Sequence, residues 1–163
     1  MMASTRVPML HLEKFTDARS KFSTLFDEAV QNELPVVIAR GGHEQGLLIA
    51  RDALLRLLAP FQLHVDVLPE DDGTFTLWLR ELDIGGTGST LKEARAELVS
   101  ATCGYVRDYW RQFALYRHLP DMSAREPYVL RLSLADSEQE ILDVLFGGTS
   151  APDPAPKPLA YAA

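Results

Sequence analysis

Residues 15–58 read FTDARSKFSTLFDEAVQNELPVVIARGGHEQGLLIARDALLRLL, and this stretch decides the fold of the first part of the chain. Ala18, Phe22, Leu25, Phe26, Ala29 and Val30 recur at i, i+4, i+7, i+8, i+11 and i+12, which places them on one face of an amphipathic helix. Thr16 stands where a capping hydroxyl belongs, and Asp17 suits the positive end of the helix dipole. The helix is expected to open there and to stop at Leu34 and Pro35. Val36, Val37 and Ile38 form a β-branched run, Gly41 and Gly42 supply the positive φ angles of a tight hairpin, and residues 47–50 lead back. A second short helix follows to Leu58. Upstream, Met9, Leu10, His11 and Leu12 predict a short strand.

Ala59 and Pro60 mark a boundary, since Pro cannot continue the helix and the apolar period changes after it. Phe61, Leu63, Val65 and Val67 alternate with Gln62, His64 and Asp66, the pattern of a half-buried strand. Glu70, Asp71, Asp72 and Gly73 form a turn. Phe75, Leu77 and Leu79 then alternate with Thr74, Thr76, Trp78 and Arg80, and a third short strand is expected over Leu82, Asp83 and Ile84. Residues 85–90, GGTGST, are read as a glycine turn before the longest helix. That helix opens with a capping box, Thr90 to Glu93, and its apolar face runs through Leu91, Ala94, Leu98, Ala101, Tyr105, Tyr109 and Phe113 to about His118. Tyr128, Leu130, Leu132 and Leu134 alternate with Val129, Arg131 and Ser133, which predicts a fourth strand. Ser137 to Glu140 is a second capping box opening a short helix that Gly147 and Gly148 close. The tail from residue 148, rich in Pro and Ala, is expected to lie outside any core. The predicted class is α+β, in three parts: residues 1–59, 60–147 and the tail 148–163.

The chain is 163 residues long with a net charge of −7, 47% hydrophobic and 24% charged, values of a soluble globular protein. No apolar run is long enough for a membrane span. One cysteine, Cys103, excludes an intrachain disulfide, and a cytoplasmic location is the default expectation. The charge is divided unevenly. Residues 1–59 hold seven Lys/Arg and seven Asp/Glu, whereas residues 60–163 hold nine and sixteen. A neutral first part can still present a basic face, and the acidic remainder more naturally meets a basic partner.

Chemistry beyond binding finds little support. The glycine run lacks the Lys that a phosphate-cradling loop places before its Ser/Thr. His11, His43, His64 and His118 are scattered, so neither a metal nor any other cofactor is expected. Asp71 and Asp72 read as an exposed turn, not as acid–base catalysts, and the chain is expected not to be an enzyme. Two clusters remain. Arg6, Lys14, Arg19, Ser20 and Lys21 gather near the first helix, with Arg40 and His43 from the hairpin. A helix start favours DNA phosphate and Arg reads guanine edges. The second cluster is aromatic, Tyr105, Tyr109, Trp110, Phe113 and Tyr116 among Arg107, Arg111 and Arg117. There Val106, Trp110 and Leu115 fall off the main apolar face and are the candidate partner-binding residues.

These residues also carry two resemblances. Residues 18–23, ARSKFS, then residues 34–42, LPVVIARGG, then residues 47–50, LLIA, are similar to the N-terminal module of Phd/YefM-type antitoxins. Where that family keeps a basic or polar residue after the glycine, this chain has Gly42, His43 and Glu44. Residues 71–75, DDGTF, and residues 81–94, ELDIGGTGSTLKEA, resemble HicB-type antitoxins, with Gly88, Thr90, Glu93 and Ala94 as the most specific part. The fold implied is a Phd/YefM-like β-α-β-β-α module followed by a HicB-like β-β-β-α-β module and a short C-terminal helix. The function implied is an antitoxin that holds a small, basic cognate toxin, forms a homodimer or higher homo-oligomer, and represses its own operon on operator DNA. The competing reading is a binding or scaffold module, dimeric and without a toxin, whose topology resembles an RNA-binding domain.

Overall fold

The computed structural model describes residues 10–41 and 44–147, which divide into two units at Ala59 and Pro60. The class is mixed α+β, with two separate three-stranded sheets.

In unit 1, strand β1 (His11–Lys14) pairs in parallel with β2 (Val36–Arg40), and β2 pairs antiparallel with β3 (Glu44–Leu48), giving the order β1-β2-β3. The first strand therefore lies two residues later than Met9–Leu12. Between β1 and β2 the expected single helix is two, α1 (Phe15–Ser20) and α2 (Phe22–Gln31), broken at Lys21 with φ −114° and ψ 15°. Thr16 is not the cap. Lys14 occupies that position without a side-chain bond, and the β-branched threonine sits within the first turn. The second helix stops at Asn32, before Leu34, and Glu33 takes φ +53°. Gly41 has φ +60° at the hairpin, while Gly42 lies outside the described residues. Helix α3 (Arg51–Leu58) follows, and Arg56 donates to Glu33 at 2.5 Å, tying α3 to the end of α2.

The apolar face of α2 is really two stripes. Leu25 and Ala29 turn inward with Ala18 and Val36, and Ile38 and Leu48 pack against them. Phe22, Phe26 and Val30, one turn apart, remain 53%, 47% and 44% exposed. The six apolar positions cover an arc too wide for one small three-stranded sheet to bury.

In unit 2, β4 (Val65–Pro69), β5 (Phe75–Leu79) and β6 (Ile84–Gly88) form an antiparallel meander. Residues 85–88 are thus strand and not a turn. The reason is close approach. A Cβ on Gly86 would lie 2.4 Å from the backbone nitrogen of Leu98, and one on Gly88 2.4 Å from that of Ala94, so only glycine lets α4 (Leu91–Arg111) press onto β6. Thr90 caps α4 by accepting from the Glu93 amide at 3.2 Å, and the Glu93 carboxylate accepts in return from the backbone and hydroxyl of Ser89. Those bonds, the hydroxyl's first, hold the Glu93 carboxyl below its ordinary value.

The long helix ends at Arg111, followed by α5 (Phe113–Tyr116) and α6 (Pro120–Ser123) in place of an unbroken run to His118. The fourth strand expected over residues 128–134 is instead helix α7 (Glu126–Ser133). Pro127 and Glu126 suit a helical first turn, and Val129 and Leu132, three apart, are the buried residues. A short run of apolar residues satisfied a period of two by coincidence. The β-β-β-α-β order is therefore corrected to three strands followed by helices. Helix α8 (Glu138–Phe146) is capped by Ser137, which accepts from the Glu140 amide, and closes at Gly147. The tail from residue 148 lies outside the described residues.

The core of unit 2 runs from Leu63 through Leu77, Leu79, Leu82 and Ile84 to Leu98, Val129, Leu132 and Leu145. Tyr109 is buried at its centre and donates to the Met122 carbonyl at 2.8 Å; burial raises its phenol pKa. Arg125 donates to the Leu82 carbonyl and the Tyr105 hydroxyl, and Arg131 to the Phe61 carbonyl, so two cations pin loops to the helices. Cys103 packs partly buried against this core, and burial pushes its thiol up.

Candidate functional site

In unit 1 the cationic residues converge on one end of the sheet. The parallel pairing sets Lys14 opposite Ala39, next to Arg40. The Arg40 guanidinium lies 5.8 Å over the ring of Phe15, the residue after Lys14. Lys21, at the break between α1 and α2, returns to Glu13 of β1 at 3.5 Å. Lys14, Lys21 and Arg40 are thus neighbours of one strand end, and Arg19 stands exposed in the last turn of α1. Ser20 spends its hydroxyl on the Asp17 carbonyl at 2.8 Å. The cluster lies at a helix break and a strand end, so the expected placement at the start of one long helix is corrected. Arg6 and His43 lie outside the described residues.

Arg40 donates to Glu44 at 2.6 Å across the hairpin, so the acidic residue that departs from the family pattern holds one of the proposed DNA contacts. Both side chains are exposed, and a pair of this kind contributes only about 0–1 kcal/mol, little enough for a phosphate to displace it. Lys14 and Arg19 form no ion pair with any described residue.

In unit 2 the sequence-predicted partner residues differ in what they are free to do. Val106 is half-buried against the core. Leu115 is 58% exposed. Trp110 is 37% exposed, but its indole N–H donates to the Ser133 hydroxyl at 2.6 Å and its ring meets Tyr109 edge-on at 5.7 Å and Phe113 at 5.1 Å. It joins α4 to α7, and Arg107, Arg111 and Arg117 stand exposed around it in sequence.

Two surfaces escaped the sequence reading. The outward stripe Phe22–Phe26–Val30, with Phe22 and Phe26 ring centroids 6.2 Å apart, was signalled by the width of the apolar arc. Trp78, at an outward position among Thr74, Thr76 and Arg80, was signalled by a large aromatic where alternation calls for a polar residue. Among the described residues no group of three His, Cys, Asp or Glu is placed to hold a metal ion, and no helix is long and apolar enough to cross a membrane.

Comparison with known proteins bears on this arrangement. Residues 9–147 match the PHD_like family, described as an antitoxin of the toxin–antitoxin RelE/RelB system. No curated protein matches the chain. A crystal structure from Syntrophomonas wolfei subsp. wolfei, described as an antitoxin part of a proposed toxin/antitoxin system, shares the fold. Its TM-score is 0.72 at 22% identity, over 84% of this chain and 97% of that one.

Proposed function

The chain belongs to the PHD_like family of toxin–antitoxin antitoxins, and from that premise we propose that it neutralises a cognate toxin through unit 2 and represses its own operon through unit 1. The chain acts by binding and not as an enzyme. The observation that carries this reading is the contrast between the units: a neutral unit with a gathered cationic end and an exposed aromatic stripe, joined to an acidic unit with a complete core.

Phe22, Phe26 and Val30 supply a homodimer contact, since an exposed apolar stripe of this kind marks an association surface. Two copies joined there present two sets of Lys14, Arg19, Ser20, Lys21 and Arg40, with Arg6 and His43 completing the sequence-based set, and a two-fold pair of cationic ends fits a palindromic operator. On unit 2, Trp110 spends its indole N–H on Ser133 and Val106 is half-buried against the core, so of the three sequence-based residues Leu115 alone offers a bare apolar contact. The finer likeness to a Phd/YefM-like head joined to a HicB-like body rests on the residues quoted above, and the family description points to a RelE-type toxin as the partner.

The test is co-expression with the reading frame adjoining this chain's own. Expression of that frame alone should arrest growth, and co-expression should restore it with both proteins purifying together. Arrest that persists in the presence of this chain removes the antitoxin reading.

A further inference from the structure

The sheet of unit 2 has an inner face against α4 and an outer face that no described element of unit 2 covers. Register places Asp66 and Leu68 of β4, Thr76 and Trp78 of β5, and Gly85 and Thr87 of β6 on that outer face. Trp78 is 38% exposed at its centre, and Leu68 and Thr87 are exposed beside it. The indole lies against Gly85, where a Cβ would come within 3.1 Å of two ring carbons. Its N–H has no hydrogen-bond partner among the described residues, unlike that of Trp110. A tryptophan with one face seated, one face open and its donor unspent is the kind of anchor that dominates protein interfaces.

The surroundings decide which partner it fits. Residues 66–83 carry six acidic side chains against one basic, Arg80. Arg80 is committed to Asp66, donating to both of its oxygens, which holds that carboxyl below its ordinary value. Asp72 accepts from the hydroxyl and amide of Thr74 and is likewise held ionised. At the other end of the meander Glu81 accepts from His64. Glu70, Asp71, Asp72 and Asp83 have no cation from the described residues and flank both ends of the sheet. Around Trp110 the balance is positive: Arg107 and Arg117 stand exposed, while Arg111 pairs with Asp108 at 3.4 Å.

We propose that the outer face of β4-β5-β6, with Trp78 as anchor and the turns holding Glu70, Asp71 and Asp83 as its acidic rim, is the surface that holds the toxin, and that the toxin presents a cationic face to it. This rests on the antitoxin reading above. A basic protein gains attraction here and meets Arg107 and Arg117 at Trp110, so charge adds to the unspent donor in separating the two exposed tryptophans.

The test measures equilibrium binding of the purified product of the adjoining reading frame to the full chain. Trp78→Ala should weaken it by at least about thirtyfold. Glu70→Lys with Asp71→Lys, in an exposed turn away from the core, should weaken it about tenfold at low salt and reduce its salt dependence. Trp110→Ala should leave it within about twofold. Because loss of the indole uncovers Gly85, Trp78→Phe separates folding from contact: it should keep the melting temperature and still lose affinity. Binding unchanged by both Trp78→Ala and the double lysine variant overturns the surface and leaves the antitoxin reading standing. So does a Trp78→Ala chain whose oligomer falls apart, since that gives the face to a second copy. No binding by the unaltered chain overturns the antitoxin reading and this surface together.

Discussion

The two units solve the burial problem differently. Among the described residues unit 2 encloses fourteen apolar side chains in one core, whereas the core cluster of unit 1 holds four, with Ala50 and Leu58 buried outside it, and Phe15, Phe22, Phe26, Val30 and Leu47 stay exposed. A small sheet with three short helices buries too little apolar area to stand firmly alone. Unit 2 is complete and can offer a surface without needing it covered, while unit 1 keeps apolar surface that the proposed homodimer would cover.

The most forceful way to break this comparison is within unit 2. Leu98 is fully buried beneath Gly86, and Leu98→Ala should cost about 2–5 kcal/mol in chemical denaturation. A change below about 1 kcal/mol would mean that the α4–sheet contact is not the centre of that core. Next in size is the cationic end of unit 1. Arg19→Ala with Lys21→Ala should weaken operator binding about tenfold in gel shifts at moderate salt, with a shallower salt slope. An unchanged shift would move the DNA contact elsewhere. Smaller still is Thr90→Ala, which removes the cap of α4 and should cost about 1 kcal/mol, with the loss read as a lower midpoint and an unchanged denaturant slope.

The smallest effect is the response to acid. Asp66, Asp72 and Glu93 all have folded pKa values below their ordinary 3.8, 3.8 and 4.5. Groups lowered in this way contribute stability that is fully present above the unfolded values and disappears as pH falls through the folded ones. Thermal melts should therefore be flat from neutral pH down to about 5 and drop only below about 4. A drop already at pH 6 would implicate a different group.

What the sequence revealed follows the strength of its local signals. The two capping boxes, at Thr90 and Ser137, form as read because each rests on a side chain bonding a backbone group three residues away. The first two strands of the meander were legible from alternation, whereas the third, expected over residues 82–84, lies at Ile84–Gly88. Residues 128–134 misled because a short apolar run fits both periods, and only packing against α4 selects the helix. Residues 85–88 misled because glycine usually signals a turn, whereas here it answers to a helix pressing on a strand, a long-range fact that no local pattern carries. At the candidate site, residue types were legible but partners were not. The sequence named Arg40 without its bond to Glu44, and Trp110 without Ser133. The outward stripe of α2 was grouped with the inward residues on one apolar face, because periodicity fixes which residues share a face and not how much of that face a sheet can cover.

The division of labour between the units is tested most directly by placing a charge in the exposed stripe of unit 1, with Phe26→Glu, and measuring mass, operator binding and toxin binding on the same full-length chain. A folded monomer by sedimentation is expected, one that has lost operator binding and still holds the toxin with unaltered affinity. A variant that stays dimeric, or one that loses the toxin together with the operator while remaining folded, would contradict it.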